Sequence, residues 1–275
     1  MMINKNTQLC ISLSGRPGNF GTFFHNYLYQ QLELDYIYKA FSTRNIEDAI
    51  KGVRALGIRG CAISMPFKEA VIPLVDQIDH SAAAIDSINT IVNNDGELFA
   101  YNTDYIAVVE LLKKNQISPD TPFILKGSGG MAKAVAGALY HQGFKNGTIV
   151  ARNKQKGQDI AALYQFSYSA TEPSLKEAQA MMLINVTPIG MQGGEEVNDL
   201  AFTQENIEHA SIIFDVVALP VETQMIKLAQ QLNKIIISGA DIAVIQALEQ
   251  FALYTGIRPS SDLVKEASTF ARSRA

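Results

Sequence analysis

Several short stretches carry residue types that could do chemistry. In Phe123-Ile-Leu-Lys-Gly127-Ser128-Gly129-Gly130-Met131-Ala132 an apolar run stops at a glycine turn and passes at once into a small-residue helix pattern. Gly127, Gly129 and Ala132 satisfy G-x-G-x-x-A, the dinucleotide-binding fingerprint. The first glycine permits the tight turn and the second lets a pyrophosphate reach the backbone. The small third residue lets the helix pack on its strand, so that free N–H groups face the phosphates. Ser128, Gly130 and Met131 belong to the same candidate cofactor-binding turn. Glycine turns of this kind also arise for structural reasons, so the motif needs support from elsewhere. Lys68 lies just past the apolar run 60–65, in Ser64-Met-Pro-Phe-Lys68, where open α/β sheets place their ligands. Taken singly it is also a solvated lysine at a helix start. Asn89, in Ser87-Ile-Asn89-Thr90, and Asp104, in Asn102-Thr-Asp104, are singly a polar strand end and a carboxylate at a helix N-terminus.

The strand after the fingerprint, 147–152, ends in Arg152-Asn153-Lys154-Gln-Lys156. An NAD site places Asp or Glu near this position to hold the ribose 2′-hydroxyl. Arginine instead clamps a 2′-phosphate and stacks on adenine. The basic residues therefore favour NADP over NAD, and Arg152, Asn153 and Lys156 join the candidate cofactor residues.

These groups require a framework of alternating strands and helices. Residues 9–13 form an expected strand, followed by a loop over 14–22, a helix over 23–34 and a strand over 36–41. Ile46, Ala49, Ile50 and Val53 have helical spacing within 45–56, with Thr43 upstream as the expected cap. The strand opening at Ser87 runs into an Asn93-Asn-Asp95-Gly96 turn, with Asp95-Gly96 supplying the turn chemistry and 98–101 the hairpin partner, and a helix follows over 105–114. Further strands are expected at 123–126, 181–186, 212–217 and 235–237, and an apolar helix after Ser238. Such alternation implies mostly parallel sheets.

The totals fit one large domain or two ordinary ones: 275 residues, 47% apolar and 18% charged, with a net charge of −4. With no basic run, nucleic acid and membrane surfaces are disfavoured as partners. Cys10 and Cys61 have neither CxxC spacing nor histidine neighbours and read as reduced core thiols. The four histidines show no metal-ligand spacing, so no metal is expected, and His25 reads as a structural residue. The N-terminus lacks the apolar core of a signal peptide and no apolar run is long enough to span a membrane, which implies a cytoplasmic protein.

Taken together, Met65-Pro-Phe-Lys68, Ser87-Ile-Asn89-Thr90, Asn102-Thr-Asp104-Tyr105 and Gly127-Ser-Gly-Gly130 resemble, in order, the V-P-F-K, A-x-N-T, N-T-D-G and G-A-G-G segments of the shikimate dehydrogenase family. The resemblance covers nearly the whole chain. It implies an α/β protein: an N-terminal α/β substrate domain with a mostly parallel sheet over 1–104, completed by 238–275, and a Rossmann NADP-binding domain over 105–237, with a cleft between them. It also implies oxidation of a secondary alcohol, with Lys68 as general acid/base, Asp104 its partner at the same hydroxyl, and Asn89 and Ser64 on the remaining ring hydroxyls. Ala151-Arg-Asn-Lys-Gln-Lys156 stands for N-R-T-x-x-R. By the same resemblance Thr187, Val216 and Gly239 fall to the cofactor and Gln246 to the substrate. The family works in aromatic amino acid biosynthesis. The expected partners are a small hydroxy acid and NADP, and the expected state is a monomer or homodimer.

Departures from the family pattern gather at the substrate. The loop H-S-x-S-P aligns with Gly18-Asn19-Phe20-Gly21-Thr22, so that Asn19 and Gly21 replace the two serines that hold a carboxylate. Asn19 and Thr22 remain as hydrogen-bond donors, with Arg16 as a source of charge. Ala218 replaces the tyrosine of D-x-x-Y, Asp241 a glycine, and Tyr105 the glycine of N-T-D-G. A polar site left half-paired discriminates sharply between analogues. Shikimate or quinate, a different hydroxy or amino acid, and a non-catalytic NADP sensor are the three readings this leaves.

Overall fold

Short runs of four to seven residues become most of the strands and amphipathic segments the helices of a computed structural model that describes residues 3–175 and 180–274. The chain divides into two units, Met1–Thr103 with Val244–Ala275, and Asp104–Ala243.

The first unit opens with β1 (Gln8–Ser14), α1 (Phe20–Gln31), β2 (Tyr36–Ser42), α2 (Ile46–Ala55) and β3 (Gly60–Ile63). A 3₁₀ turn (Ile72–Leu74) leads to β4 (Gln77–Ile78), α3 (His80–Ala83), β5 (Thr90–Asn94) and β6 (Glu97–Tyr101). Sheet order is β2-β1-β3-β5-β6-β4. β1 runs parallel to β2 and β3, and β4 to β6, whereas β5 is antiparallel to both β3 and β6. The antiparallel pair β5–β6 is the Asp95-Gly96 hairpin, in which both turn residues take positive φ as a two-residue turn demands.

Two sequence expectations shift here. α1 begins at Phe20, three residues early, which brings Gly21 and Thr22 out of the loop and into the first helical turn. The cap of α2 is Asn45, whose side chain accepts from Asp48 N at 3.1 Å, while Thr43 Oγ1 accepts from Asn45 N.

In the second unit come α4 (Thr103–Lys114), β7 (Phe123–Lys126), α5 (Gly130–His141), β8 (Gly147–Val150), α6 (Lys154–Leu163), β9 (Ser167–Ser169) and β10 (Met182–Asn185). They are followed by α7 (Gln204–His209), β11 (Ile212–Asp215), α8 (Gln224–Gln231), β12 (Ile235–Ser238) and α9 (Gly239–Thr255). The sheet order β12-β11-β10-β7-β8-β9 is parallel throughout. Counted from β7, this is the 3-2-1-4-5-6 order of the Rossmann fold, and the direction of winding reverses between β7 and β10. β9 is only three residues long and carried no readable sequence pattern. Lys154 and Lys156 lie in the first turn of α6 rather than in a loop, capped by Asn153.

From Val244 onward α9 belongs to the first unit, as does α10 (Ser261–Arg272). On one face of the first sheet Ile11, Leu13, Cys61, Ile63 and Ile91 pack with Ile50 and Val53 of α2. On the other, Cys10, Tyr38 and Val92 meet Phe24, Leu28 and Tyr29 of α1 and Phe251 and Tyr254 of α9. The two cysteines are buried free thiols. His25 is fully buried among these aromatics, stacked on Tyr38 with ring centroids 4.5 Å apart. Among the described residues no helix is long and apolar enough to cross a membrane.

Candidate nucleotide and polar sites

At the end of β7 the chain turns at Gly127 with φ +130, a conformation side chains rarely adopt. A Cβ there would stand 2.7 Å from Val186 Cγ2, so the turn fits against the end of β10 only as glycine. Gly129 is the N-cap of α5 and Gly130 its first residue, and both face open space. Ala132 is completely buried where α5 packs on the sheet. The turn opens onto a cavity of about 640 Å³ lined by residues 126–129, 150–153, 170–172 and 186–189, with Glu196. Each run follows the carboxyl end of a strand, on both sides of the winding reversal, where open α/β sheets bind ligands. Ser128, Arg152, Asn153 and Thr187 lie on its walls; Met131, Lys156, Val216 and Gly239 do not.

The side chains explain those placements. Asn153 Oδ1 is engaged with Lys156 N at 3.0 Å, which ties the loop to α6. Thr187 turns its hydroxyl inward, donating to Asn185 Oδ1 at 2.6 Å and accepting from Ile189 N. Asn185 in turn donates to Asp215 Oδ1 at 2.9 Å. Asp215 is fully buried, and burial raises its pKa while Thr223, Val217 and Asn185 donate to it. This chain of bonds fixes the loop after β10 against the end of β11. Gly239 is glycine because the Val216 carbonyl fills the space of a Cβ. Asp241 Oδ2 accepts from Ser238 Oγ at 2.6 Å and its N–H donates to the same hydroxyl at 3.2 Å, so the residue in place of the family's glycine helps to start α9.

Sequence reasoning missed the floor of the cavity. Glu172 Oε2 pairs with Lys126 Nζ at 3.0 Å, and Glu172 Oε1 accepts from Thr203 N, Thr203 Oγ1 and Asn206 Nδ2. Lys126 also donates to the Ala201 carbonyl. These partners lie tens of residues apart and form no local motif. Across the mouth, Arg152 Nη1 stands 3.9 Å from Glu196 Oε1.

In the first unit the backbone brings Ser64, Lys68 and Asn89 together. The Lys68 carbonyl accepts from Ile88 N at 2.9 Å, the Asn89 carbonyl from Ile63 N at 2.8 Å, and Ser64 N donates to the Leu13 carbonyl. Asn89 is fully buried, and its Oδ1 accepts from Thr90 Oγ1 (2.8 Å), Thr103 N (2.7 Å) and Thr103 Oγ1 (3.1 Å). Three donors on one oxygen fix the amide's orientation, and its Nδ2 is left buried with no protein acceptor. A buried donor without a partner is costly and is a position for a ligand oxygen. Lys68 is half-buried and Ser64 exposed. Asp104, buried, follows Thr103 in the first turn of α4 and is the first residue of the second unit.

Gln250, which the sequence reading passed over, donates from α9 to Thr90 Oγ1 at 3.1 Å. Gln246 is half-buried one turn earlier, four residues away and so on the same helix face. At the carboxyl end of β1, which runs parallel beside β3 and whose following residue Gly15 donates to the Met65 carbonyl, Asn19 is an exposed N-cap residue of α1 whose side chain makes no capping bond. Thr22 Oγ1 and Ser14 Oγ are both buried without partners. Ser14, at the carboxyl end of β1, could have been found only by knowing where that strand stops.

The first polar cluster sits at the carboxyl ends of the parallel strands β1 and β3, and the second sheet has the Rossmann order with a glycine turn at the reversal. The class is that of two-unit α/β proteins with a Rossmann nucleotide fold. A family model for the shikimate dehydrogenase substrate binding domain matches residues 20–91. A shikimate dehydrogenase-like protein of Haemophilus influenzae is 59% identical, over 99% of this chain and 100% of its own. A shikimate dehydrogenase (NADP(+)) of Geobacillus sp. is 34% identical over 88% of this chain and 90% of its own. Among solved structures, a shikimate dehydrogenase in complex with NADP+ superposes with a TM-score of 0.86 at 29% identity, covering 98% of this chain and 96% of that one. The chain belongs to the shikimate dehydrogenase family.

Proposed function

We propose that the protein is an NADP-dependent oxidoreductase that interconverts a secondary alcohol and a ketone on a shikimate-like cyclic hydroxy acid, shikimate/3-dehydroshikimate or a quinate-like compound. The observation that carries the chemistry is the stitching of the Lys68 segment to the strand that presents Asn89 Nδ2 as an unmet buried donor. On the cofactor side, Gly127–Gly129 and Arg152 line one cavity. Three cations, Arg152, Lys154 and Lys156, surround the start of α6, the end of a helix where cations are disfavoured and an anion is welcome. A 2′-phosphate answers that charge.

NADP, when bound, supplies the hydride acceptor or donor. In this reading Lys68 takes the hydroxyl proton during oxidation and returns it during reduction, and Asp104 hydrogen-bonds the same oxygen and orients it. Asn89 Nδ2 donates to a ring oxygen, as do Ser64 and Gln246, so that the ring enters in one pose. Asn19 and Thr22 stand where the carboxylate is received. Lys68→Ala is expected to lower turnover by about 10³-fold, within the range for loss of a general acid/base, while NADPH binding is unchanged. Retained turnover defeats the assignment. A Michaelis constant for NAD at or below that for NADP defeats the choice of cofactor.

A second reading changes the substrate within the same chemistry. Gly21 offers no hydroxyl and Asn19 is exposed, so the carboxylate seat differs from a pair of serines. A screen of NADP reduction over shikimate, quinate and small hydroxy acids, with dehydroshikimate in reverse, separates the two. Tight NADPH binding with no turnover on any of them favours a non-catalytic sensor instead.

A further inference from the structure

Resting on the reading that the cavity of the second unit takes NADP, we propose that Glu196 is a selectivity-setting residue: a counter-charge that occupies Arg152 until a 2′-phosphate displaces it. The pair is loose, 3.9 Å between Arg152 Nη1 and Glu196 Oε1, and solvent-exposed on both sides, with 83% of the arginine side chain and 40% of the glutamate accessible. Exposed pairs of this kind contribute little to stability. The segment that carries Glu196 is anchored by its backbone, since the Glu196 carbonyl accepts from Gly190 N at 2.9 Å. The carboxylate is therefore not needed to hold the loop.

Among the acidic residues on the cavity wall, Glu172 is already committed to Lys126, Thr203 and Asn206. Among the described residues, Glu196 is the one that faces Arg152. A dinucleotide with a free 2′-hydroxyl can bind and leave the Arg152–Glu196 pair in place. One with a 2′-phosphate brings a second anion to the same guanidinium, and Glu196 must withdraw against like-charge repulsion. Selectivity is a difference of two affinities, and this carboxylate penalises only one of them. Arg152 thus raises the preference for the phosphorylated cofactor and Glu196 trims it.

The test measures dissociation constants for NADPH and NADH by their fluorescence, for the full-length protein and its Glu196→Gln, Arg152→Ala and doubly substituted forms. Glu196→Gln is expected to bind NADPH about five-fold more tightly at low salt, the size of one charge–charge interaction at about 4 Å in water. The gain shrinks at about 1 M salt, where the Debye length is about 3 Å. NADH affinity stays within two-fold. Equal gains for both cofactors, or weaker NADPH binding, overturn the proposal. Arg152→Ala tests the parent reading separately. If the NADPH-to-NADH ratio does not fall, the NADP reading fails at this end of the cavity. If it falls while Glu196→Gln leaves it unmoved, NADP stands and the counter-charge is wrong.

Discussion

The second unit makes its site chiefly from backbone: a glycine turn, helix starts and the ends of parallel strands, with side chains such as Glu172 and Asp215 bracing the loops from behind. The first unit works with side chains. Asn89 is held by Thr90 and Thr103, Gln250 reaches in from the far end of the sequence, and Thr22 and Ser14 wait without partners. A backbone site depends on φ and close approach, so it tolerates many sequences but few at its glycines. A side-chain site depends on the chemical identity of each residue, and changing one redefines what is bound. That contrast fits the exchange of two family serines for Asn19 and Gly21 in the first unit while the glycine turn of the second is intact.

Three substitutions probe the contrast. Gly127→Ala meets the largest penalty. Positive φ and the approach of Val186 together cost about 3 kcal/mol, and NADPH affinity should fall at least ten-fold. Unchanged NADPH binding would show that the second site does not depend on its backbone.

Next comes His25, a fully buried titratable side chain of the first unit's aromatic core. Burial pushes its pKa down to about 3, and neither ring nitrogen has a well-formed hydrogen bond. The unfolded chain, with an ordinary histidine, takes up the proton first. Stability from the neutral ring is complete above about pH 6.5 and drains away toward pH 3, reaching a loss of about 2–3 kcal/mol by pH 4.5. His25→Phe keeps the stack on Tyr38 and should lose less on acidification. Urea midpoints at pH 7 and pH 4.5 check this, and an equal fall in both proteins refutes it.

Asn89→Ala removes the acceptor shared by three donors and should cost about 2 kcal/mol. It should raise KM for the proposed hydroxy-acid substrate while the NADPH dissociation constant holds. A matching loss of cofactor affinity would erase the functional distinction between the two units.

Much of the second unit was legible because its determinants are local. The turn at Gly127, the strand before it and the cations after β8 are contiguous in the chain. Its edge strand β9 and the floor of its cavity were not, since β9 is three residues long and the Glu172 partners Lys126 and Thr203 lie 46 and 31 residues away. In the first unit the Asp95-Gly96 hairpin was readable from its turn chemistry. The start of α1 was not, because Gly18-Asn19-Phe20-Gly21 has loop composition while its backbone is already turning helical at Asn19. Gln250 was hidden for another reason: on an almost wholly apolar helix, a buried glutamine gains meaning only when Thr90 is found opposite it.

The reversal of winding between β7 and β10 also bears on how the protein can change. The groove there is produced by the path of the chain, two neighbouring strands whose crossovers leave in opposite directions, and no side chain creates it. Residues on its rim, Arg152 and Glu196 among them, are therefore free to be rewritten without closing the groove. A lineage, or an engineer, can exchange one dinucleotide for another by editing the rim and leaving the architecture alone.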